Sequence, residues 1–243
     1  AFEDKPNRLE HISSTLKVPK KIKKIVTPVE TILMISEISE LNKHNCRLLT
    51  SKNYEVYLAP AHKIEHTLRE IGRLREITFR EVGEGTNEAI DLDKFDSHYH
   101  HMFLWDNKAR VLVGAYRMGL GSEIFKKFGI DGFYLQDLFR FEPELYNMMS
   151  QSIELGRAFI IKEYQQKPMP LFLLWKGIVH TTLRFPQHKF LIGGVSISNQ
   201  FSNFSKSLMI EFMKSHYYDP YIAQYVHPKK EFKVKLKEKK IYV

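Results

Sequence analysis

The 243 residues carry 43% hydrophobic and 27% charged side chains. This is ordinary globular usage, which excludes a disordered, collagen-like or coiled-coil chain and leaves room for one main core with terminal extensions. Thirty-seven basic against 28 acidic residues give +9, and the single cysteine, Cys46, excludes an intrachain disulfide framework and a cysteine-rich zinc site.

The excess charge sits in two flanks. The run Lys17 to Lys24 carries five lysines, and 229–243 carries seven lysines against Glu231 and Glu238, whereas 25–228 is neutral. A nucleic-acid-binding module would need basic and aromatic side chains interleaved on the folded surface, so the charge speaks against nucleic acid as a partner. The lysine flanks fit an anionic membrane surface or an acidic protein instead. The chain opens on Ala1, without an initiator Met or a basic-then-apolar leader, which reads as an excised fragment of a cytoplasmic protein.

In chain order, Thr27-Pro28-Val29-Glu30 reads as a helix start with Thr as cap and Pro in the first turn, ahead of Ile32, Leu33, Ile35, Ile38 and Leu41. Cys46 to Thr50 and Tyr54 to Ala59 form a hairpin across a polar turn. Ile64, Leu68, Ile71, Leu74 and Ile77 recur at helical spacing, defining a long amphipathic helix over about 61–80. The acidic, glycine-containing stretch 82–93 is a loop. A second hairpin runs from Met102 to Trp105 and from Val111 to Met118. A loop or short helix at 122–128 and a helical segment at 135–149 follow. Then come a strand at 152–161, an apolar helix at 171–184, a strand at 190–198 and a helix at 202–216 with Ser202 as cap. Hairpins alternating with packing helices predict an α/β fold, a two- or three-layer, mostly antiparallel sheet flanked by helices. The expected division is a basic arm and packing helix at 1–45, a main domain at 46–220 and a lysine-rich tail at 221–243.

No GxxxxGK[ST], HExxH or GxSxG motif is present. His98 and His100 alternate onto one strand face with His101 opposite, and without a third ligand of known position this reads as the polar start of a strand, with no metal expected. The informative constellation is dispersed: Arg75 and Phe79 on one face of the long helix, Asp93-Lys94-Phe95-Asp96 after the acidic loop, Gly114-Ala115-Tyr116-Arg117 ending a strand, and Glu154-Leu155-Gly156-Arg157 in another. Each taken singly could be a cap or an ion pair.

Their order, Arg-x-x-x-Phe, Asp-x-Phe-Asp, Gly-x-x-Arg and Glu-x-x-Arg, resembles that of the acyl-homoserine-lactone synthases. It is more closely similar to the ornithine-lipid and glycine-lipid N-acyltransferases, which share the Gcn5-related N-acetyltransferase fold. Leu173-Leu174-Trp175-Lys176-Gly177-Ile178 and Gly194-Val195-Ser196-Ile197-Ser198 belong to the closer branch, and the resemblance spans about 54–200. Pro28-Val29-Glu30 extends it weakly upstream in a hemolysin-like form, in which a lysophospholipid-type acyltransferase domain often precedes this one.

The resemblance implies a Gcn5-related mixed sheet and transfer of a fatty acyl or 3-hydroxyacyl group from a thioester to the amine of a small amino acid, as in ornithine- or glycine-lipid synthesis. An acetyl-coenzyme A-dependent small-amine acetyltransferase or an acyl-homoserine-lactone synthase is the alternative. By analogy Glu154 is the general base, taking a proton directly or through water. Arg157 and Arg117 hold a carboxylate or the carrier's phosphate, and Arg75, Phe79, Asp93, Asp96, Trp175 and Ser196 complete the substrate site. The pyrophosphate loop Arg/Gln-x-x-Gly-x-Gly/Ala of the acetyl-coenzyme A enzymes is missing, which favours the 4′-phosphopantetheine arm of an acyl carrier protein as donor, with coenzyme A as alternative. An amphipathic product places the enzyme at the inner membrane face, held peripherally. Because Glu154 and Arg157 would point to opposite faces of a regular strand, a joint role predicts a β-bulge at 154–157, permitted by Gly156.

Overall fold

In the computed structural model, which describes residues 22–198 and 200–232, six strands form one sheet in the order β1-β2-β3-β4-β6-β7. These are β1 Arg47–Ser51, β2 Tyr54–Pro60, β3 His100–Asp106, β4 Val111–Leu120, β6 Ser152–Ile160 and β7 Phe190–Gly193. Every neighbouring pair is antiparallel except β6 with β7. The remaining strands, β5 Phe139–Phe141 and β8 Val226–Pro228, make a separate two-stranded ribbon. The helices are α1 Thr31–Lys43, α2 Glu65–Glu81, α3 Gly121–Phe128, α4 Leu135–Leu138, α5 Tyr146–Ser150, α6 Lys162–Gln165, α7 Pro168–Arg184, α8 Asn203–Tyr217 and α9 Pro220–Ala223.

Two-residue alternation divides the sheet's apolar side chains between two layers. Phe103 and Trp105 of β3 pack with Met34, Ile38 and Leu41 of α1 and Ile71 of α2. Met102 and Leu104 pack on the other face with Leu173 and Leu174 of α7. The result is a three-layer sandwich of α1 and α2, the sheet, and α7. A third cluster, Phe95, Tyr99, Ile124, Phe133, Leu135, Phe141, Leu145 and Met149, lies beneath the short helices between β4 and β6.

The mixed, mostly antiparallel α/β sheet expected from the sequence is present, and four local expectations change. The first helix begins at Thr31 with Glu30 as cap residue, and Thr27-Pro28 lies outside it. The backbone before it runs beside the acidic loop, Lys23 N–H donating to Asn87 O and Val26 N–H to Ala89 O, which draws these residues into extended pairing. The segment 135–149 is broken into α4, β5, a 3₁₀ turn at Pro143–Leu145 and α5. Pro143 offers no N–H to a continuing helix, and β5 is taken up in pairing with β8. The strand expected over 190–198 stops at Gly193, where β7 parts from β6 after the pair Leu155–Gly193. Finally, α9 and β8 dock the beginning of the expected 221–243 tail onto β5. Most of the two lysine runs, Lys17, Lys20, Lys21 and all lysines from Lys233 onward, lie outside the described residues.

Candidate functional site

The expected bulge is present in β6. Arg117 of β4 pairs with Gly156 and Ala115 with Phe159, so two steps along β4 oppose three along β6. The extra residue restores Arg157 to the face that carries Glu154. The left-handed conformation falls on Arg157 itself, with φ 52°, and not on Gly156. An arginine held there is strained backbone that its contacts must hold in place. A Cβ added to Gly156 would meet nothing within 4 Å, so this stretch of β6 borders open space.

Arg157 joins an ionic net on the α2 side of the sheet. Arg75, fully buried on α2, grips the Asp96 carboxylate through two nitrogens at 2.9 and 3.1 Å, reaches Asp91 Oδ2 through Nε at 2.9 Å, and donates to the Asp91 carbonyl. Arg117 from β4 donates to Asp93 Oδ1 at 2.6 Å and lies 3.4 Å from Asp96. Arg157 lies 3.3 Å from Asp93 and 3.8 Å from Asp91. The loop is preset for this role: the Asp96 carboxylate accepts from Asp93 N–H and the Asp93 carboxylate from Phe95 N–H, both at normal lengths. Burial pushes both carboxyls upward, but the guanidiniums of Arg117 at Asp93 and Arg75 at Asp96 outweigh it and hold both below the ordinary range. The Arg117 guanidinium also lies over the rings of Tyr134, Tyr99 and Phe95, its carbon 5.0, 5.2 and 5.7 Å from their centres.

Glu154 is 2% exposed. Its Oε2 accepts from the Tyr99 hydroxyl and from Tyr134 N–H at 3.1 Å, and its Oε1 accepts from Leu135 N–H at 2.8 Å. A carboxylate offers about four acceptor sites, so one site, on Oε1, is left. Burial raises this carboxyl above the ordinary range, outweighing the hydrogen bonds from Tyr99 and the α4 backbone. Tyr99 can lie across the sheet because Gly119 has no side chain: a Cβ there would stand 2.5 Å from the ring.

Beyond the last β6–β7 pair a cavity of about 940 Å³ opens, within the size of small-molecule sites. Phe79, Tyr116, Tyr134 and the 155–158 stretch line one side, and 191–197 the other, with Gly83 and Glu84 at the edge. Of the residues singled out in the sequence, Phe79, Arg157 and Ser196 line this cavity. Arg75, Asp93, Asp96 and Arg117 form the net behind it, and Glu154 does not line it but accepts from the N–H of Tyr134, which does. Trp175 is not brought there: it is 61% exposed on the outer face of α7. Arg157 Nε and Arg117 Nη2 are buried donors without a hydrogen-bond partner among the described residues.

Three participants were missed in the sequence. Asp91 stands two residues before Asp93 in the same acidic loop. Tyr99 follows Phe95 by four residues, and Tyr134 sits in a stretch without regular spacing, so it gave no signal. His98 and His101 serve structure, Nε2 of each lying about a hydrogen bond from a backbone carbonyl, at Gly132 (3.0 Å) and Asp96 (2.9 Å) respectively. Among the described residues no three His, Cys, Asp or Glu side chains are grouped to hold a metal.

Residues 74–175 match the family model of the Acetyltransferase (GNAT) domain, a segment that holds Arg75, Asp91, Asp93, Asp96, Arg117, Glu154 and Arg157. Over 209 residues, 82% of this chain, the sequence is 29% identical to the glycine N(alpha)-acyltransferase of Bacteroides thetaiotaomicron and 28% identical to that of Phocaeicola vulgatus. These matches cover 61% and 64% of those proteins, so the chain spans about three-fifths of the length of the curated relatives it matches. A solved structure of the AHL synthase LasI aligns with a TM-score of 0.41 and 13% identity, over 59% of this chain and 72% of that one. Residues 74–175 are thus similar to the GNAT type of acyltransferase domain.

Proposed function

We propose, from the premise of that GNAT similarity, that the chain transfers a fatty acyl group from a thioester to the α-amine of a small amino acid, glycine foremost. The observation that carries this reading is the cleft where β6 and β7 part, with the Arg157 guanidinium on its wall and a donor there lacking a partner. An amino acid's carboxylate suits such a donor, and the relatives named for glycine acylation supply the amine.

In this reaction the amine nitrogen bonds to the thioester carbonyl carbon as the C–S bond breaks. Of the two protons an α-ammonium gives up, one passes to a base before attack and one to the leaving thiolate. Glu154 is the base, receiving its proton at the remaining Oε1 site, through a water. Its raised affinity for protons suits that role. The bulge at Arg157 interrupts the ladder beside the cleft, and backbone N–H groups released there face the developing oxyanion. The arm of an acyl carrier protein is the proposed acyl carrier, and a 3-hydroxyacyl group the proposed cargo. Ornithine is a second reading, favoured by one observation: among the described residues Glu84 is the one carboxylate lining the cavity, placed to meet a side-chain ammonium.

The test presents acyl carrier protein and coenzyme A thioesters, acetyl to long 3-hydroxyacyl, with glycine, ornithine and serine, and follows free thiol and N-acyl product. Product with glycine is expected, and no turnover with any amine overturns the reading. Glu154→Gln should fold and bind donor but lose about a hundredfold in rate; near-normal turnover removes Glu154 from the role. Ornithine turnover sensitive to Glu84→Gln would install the second reading.

The proposal extends to peripheral attachment at a membrane. No described helix is long and apolar enough to cross one. Support comes from α7, whose outer face carries exposed Leu171, Phe172, Trp175, Val179 and Leu183. Its seventeen residues include no acid and two fixed cations, Lys176 and Arg184. An apolar face rimmed by cations suits an anionic lipid surface.

A further inference from the structure

The α8 helix stands apart from the core. Its Ser202 cap accepts from Ser205 N–H, and Ser207 is its only buried residue, while Phe204, Leu208, Phe212 and Met213 are exposed. An apolar helix that the core does not require needs another reason for its side chains. Along it runs a second recess of about 270 Å³, walled by Ile197, Met209, Ile210, Met213, Tyr217 and Tyr218, with Lys214 beside them. Apart from Lys214 and the two phenols, the wall is aliphatic or thioether. Ile197 also lines the large cleft, at the end of the Gly194 to Ile197 stretch of its wall, and so stands between the two recesses.

From this continuity we infer that the α8 groove receives the distal methylenes of the donor's fatty acyl chain and so sets the preferred chain length. The inference rests on the acyl-transfer reading and goes beyond it by placing the acyl tail. With the carbonyl held beside Arg157 and the bulge, an apolar way out stays in contact with the cleft wall past Ser196 and Ile197 onto α8. Met209 and Met213 are unbranched and polarizable, able to follow a flexible chain. The Lys214 stem can cover the chain while its ammonium remains in water. A polar ligand would find almost no donors there.

The test is binding of acyl-pantetheine thioesters to the full chain by calorimetry, dodecanoyl against acetyl. Each methylene withdrawn from water strengthens binding by roughly fourfold. Even partial burial should therefore make dodecanoyl-pantetheine bind at least about a hundredfold tighter than acetyl-pantetheine. Met213→Trp, which fills the groove, and Ile210→Lys, which charges it, should each lower that ratio by about tenfold or more. Because α8 lies off the core, circular dichroism should report both variants folded. A wild-type ratio near one, or a ratio unchanged in both variants, overturns the inference. An unchanged ratio together with a dimer lost in Met213→Trp would give the groove to a second copy of the chain. The binding readout separates this from the reaction: tight dodecanoyl binding without any N-acyl product would break the acyl-transfer reading and leave the groove standing.

Discussion

The ionic net and the outer face of α7 invert the usual partition of a globular protein. Arg75, Asp91, Asp96 and Arg117 are buried charges, whereas Trp175 and Leu183 of α7 stand 61% and 71% exposed. In the net, each charge is held by two or more partners from α2, β4, β6 and the 91–96 loop, so taking one away strands the others in a poorly solvated interior. On α7, the inner side chains Leu173 and Leu174 belong to the core, and the outer ones touch nothing that folding needs. The fold therefore depends on polar residues at the site and is indifferent to apolar ones outside it. Stability and the proposed membrane contact are written in different places.

Breaking the net should have the largest effect. Arg75→Met removes the fork that neutralises Asp91 and Asp96 and should cost about 3–5 kcal/mol, read from the midpoint of urea unfolding. A loss below about 1 kcal/mol would mean that the two aspartates find other partners or take up protons.

Acid should attack the same region next. His101 is held neutral by burial, its pKa pushed down to about 4 despite the nearby Asp96, with Arg75 and Arg117 adding to the effect. The folded protein disfavours the charged imidazole. Its contribution is thus complete above about pH 6.5 and is lost as pH falls towards 4, by about 3 kcal/mol. Asp93 and Asp96, held low, add their loss only below the ordinary carboxylate range. Glu154, held high, works the other way near that range. Unfolding curves taken from pH 7.5 to 4.5 should slope downward in the wild type and flatten in His101→Gln; equal slopes would remove His101 as the cause.

The smallest effect on folding should come from α7. Trp175→Glu combined with Leu183→Glu should move stability by no more than about 0.5 kcal/mol while abolishing cosedimentation with anionic vesicles. Retained sedimentation would show that this face is not what meets lipid.

Much of this was legible beforehand because it follows from periodicity. The two hairpins, α2, α7 and the Ser202 cap are set by local spacing and turn chemistry. The bulge was legible for a different reason: two side chains three apart can share a strand face only if the strand is broken. The shift of the strained conformation from Gly156 to Arg157 was hidden, because it depends on what Asp93 and Asp91 offer from another part of the chain. The stretch 135–149 misled through apolar spacing that reads as helix, although its middle is claimed by β8 some ninety residues later. Tyr99 and Tyr134 escaped because they meet Glu154 only across tertiary contacts. Trp175 carried a family resemblance but no spacing that tied it to the cleft, and it lies outside.

The β5–β8 ribbon has a consequence for the order of assembly. Tyr134 and Leu135, whose N–H groups clamp Glu154, lead through α4 directly into β5. There β5 is fixed by β8, with Glu142 N–H donating to Tyr225 O and Lys229 N–H to Leu138 O. These contacts join residues some ninety positions apart, the kind that closes late. During synthesis the sheet and the arginine net can form while the clamp on Glu154 still waits for residues 225–229. By that order the sheet and the net precede the clamp on Glu154, whose completion depends on a three-residue strand far along the chain.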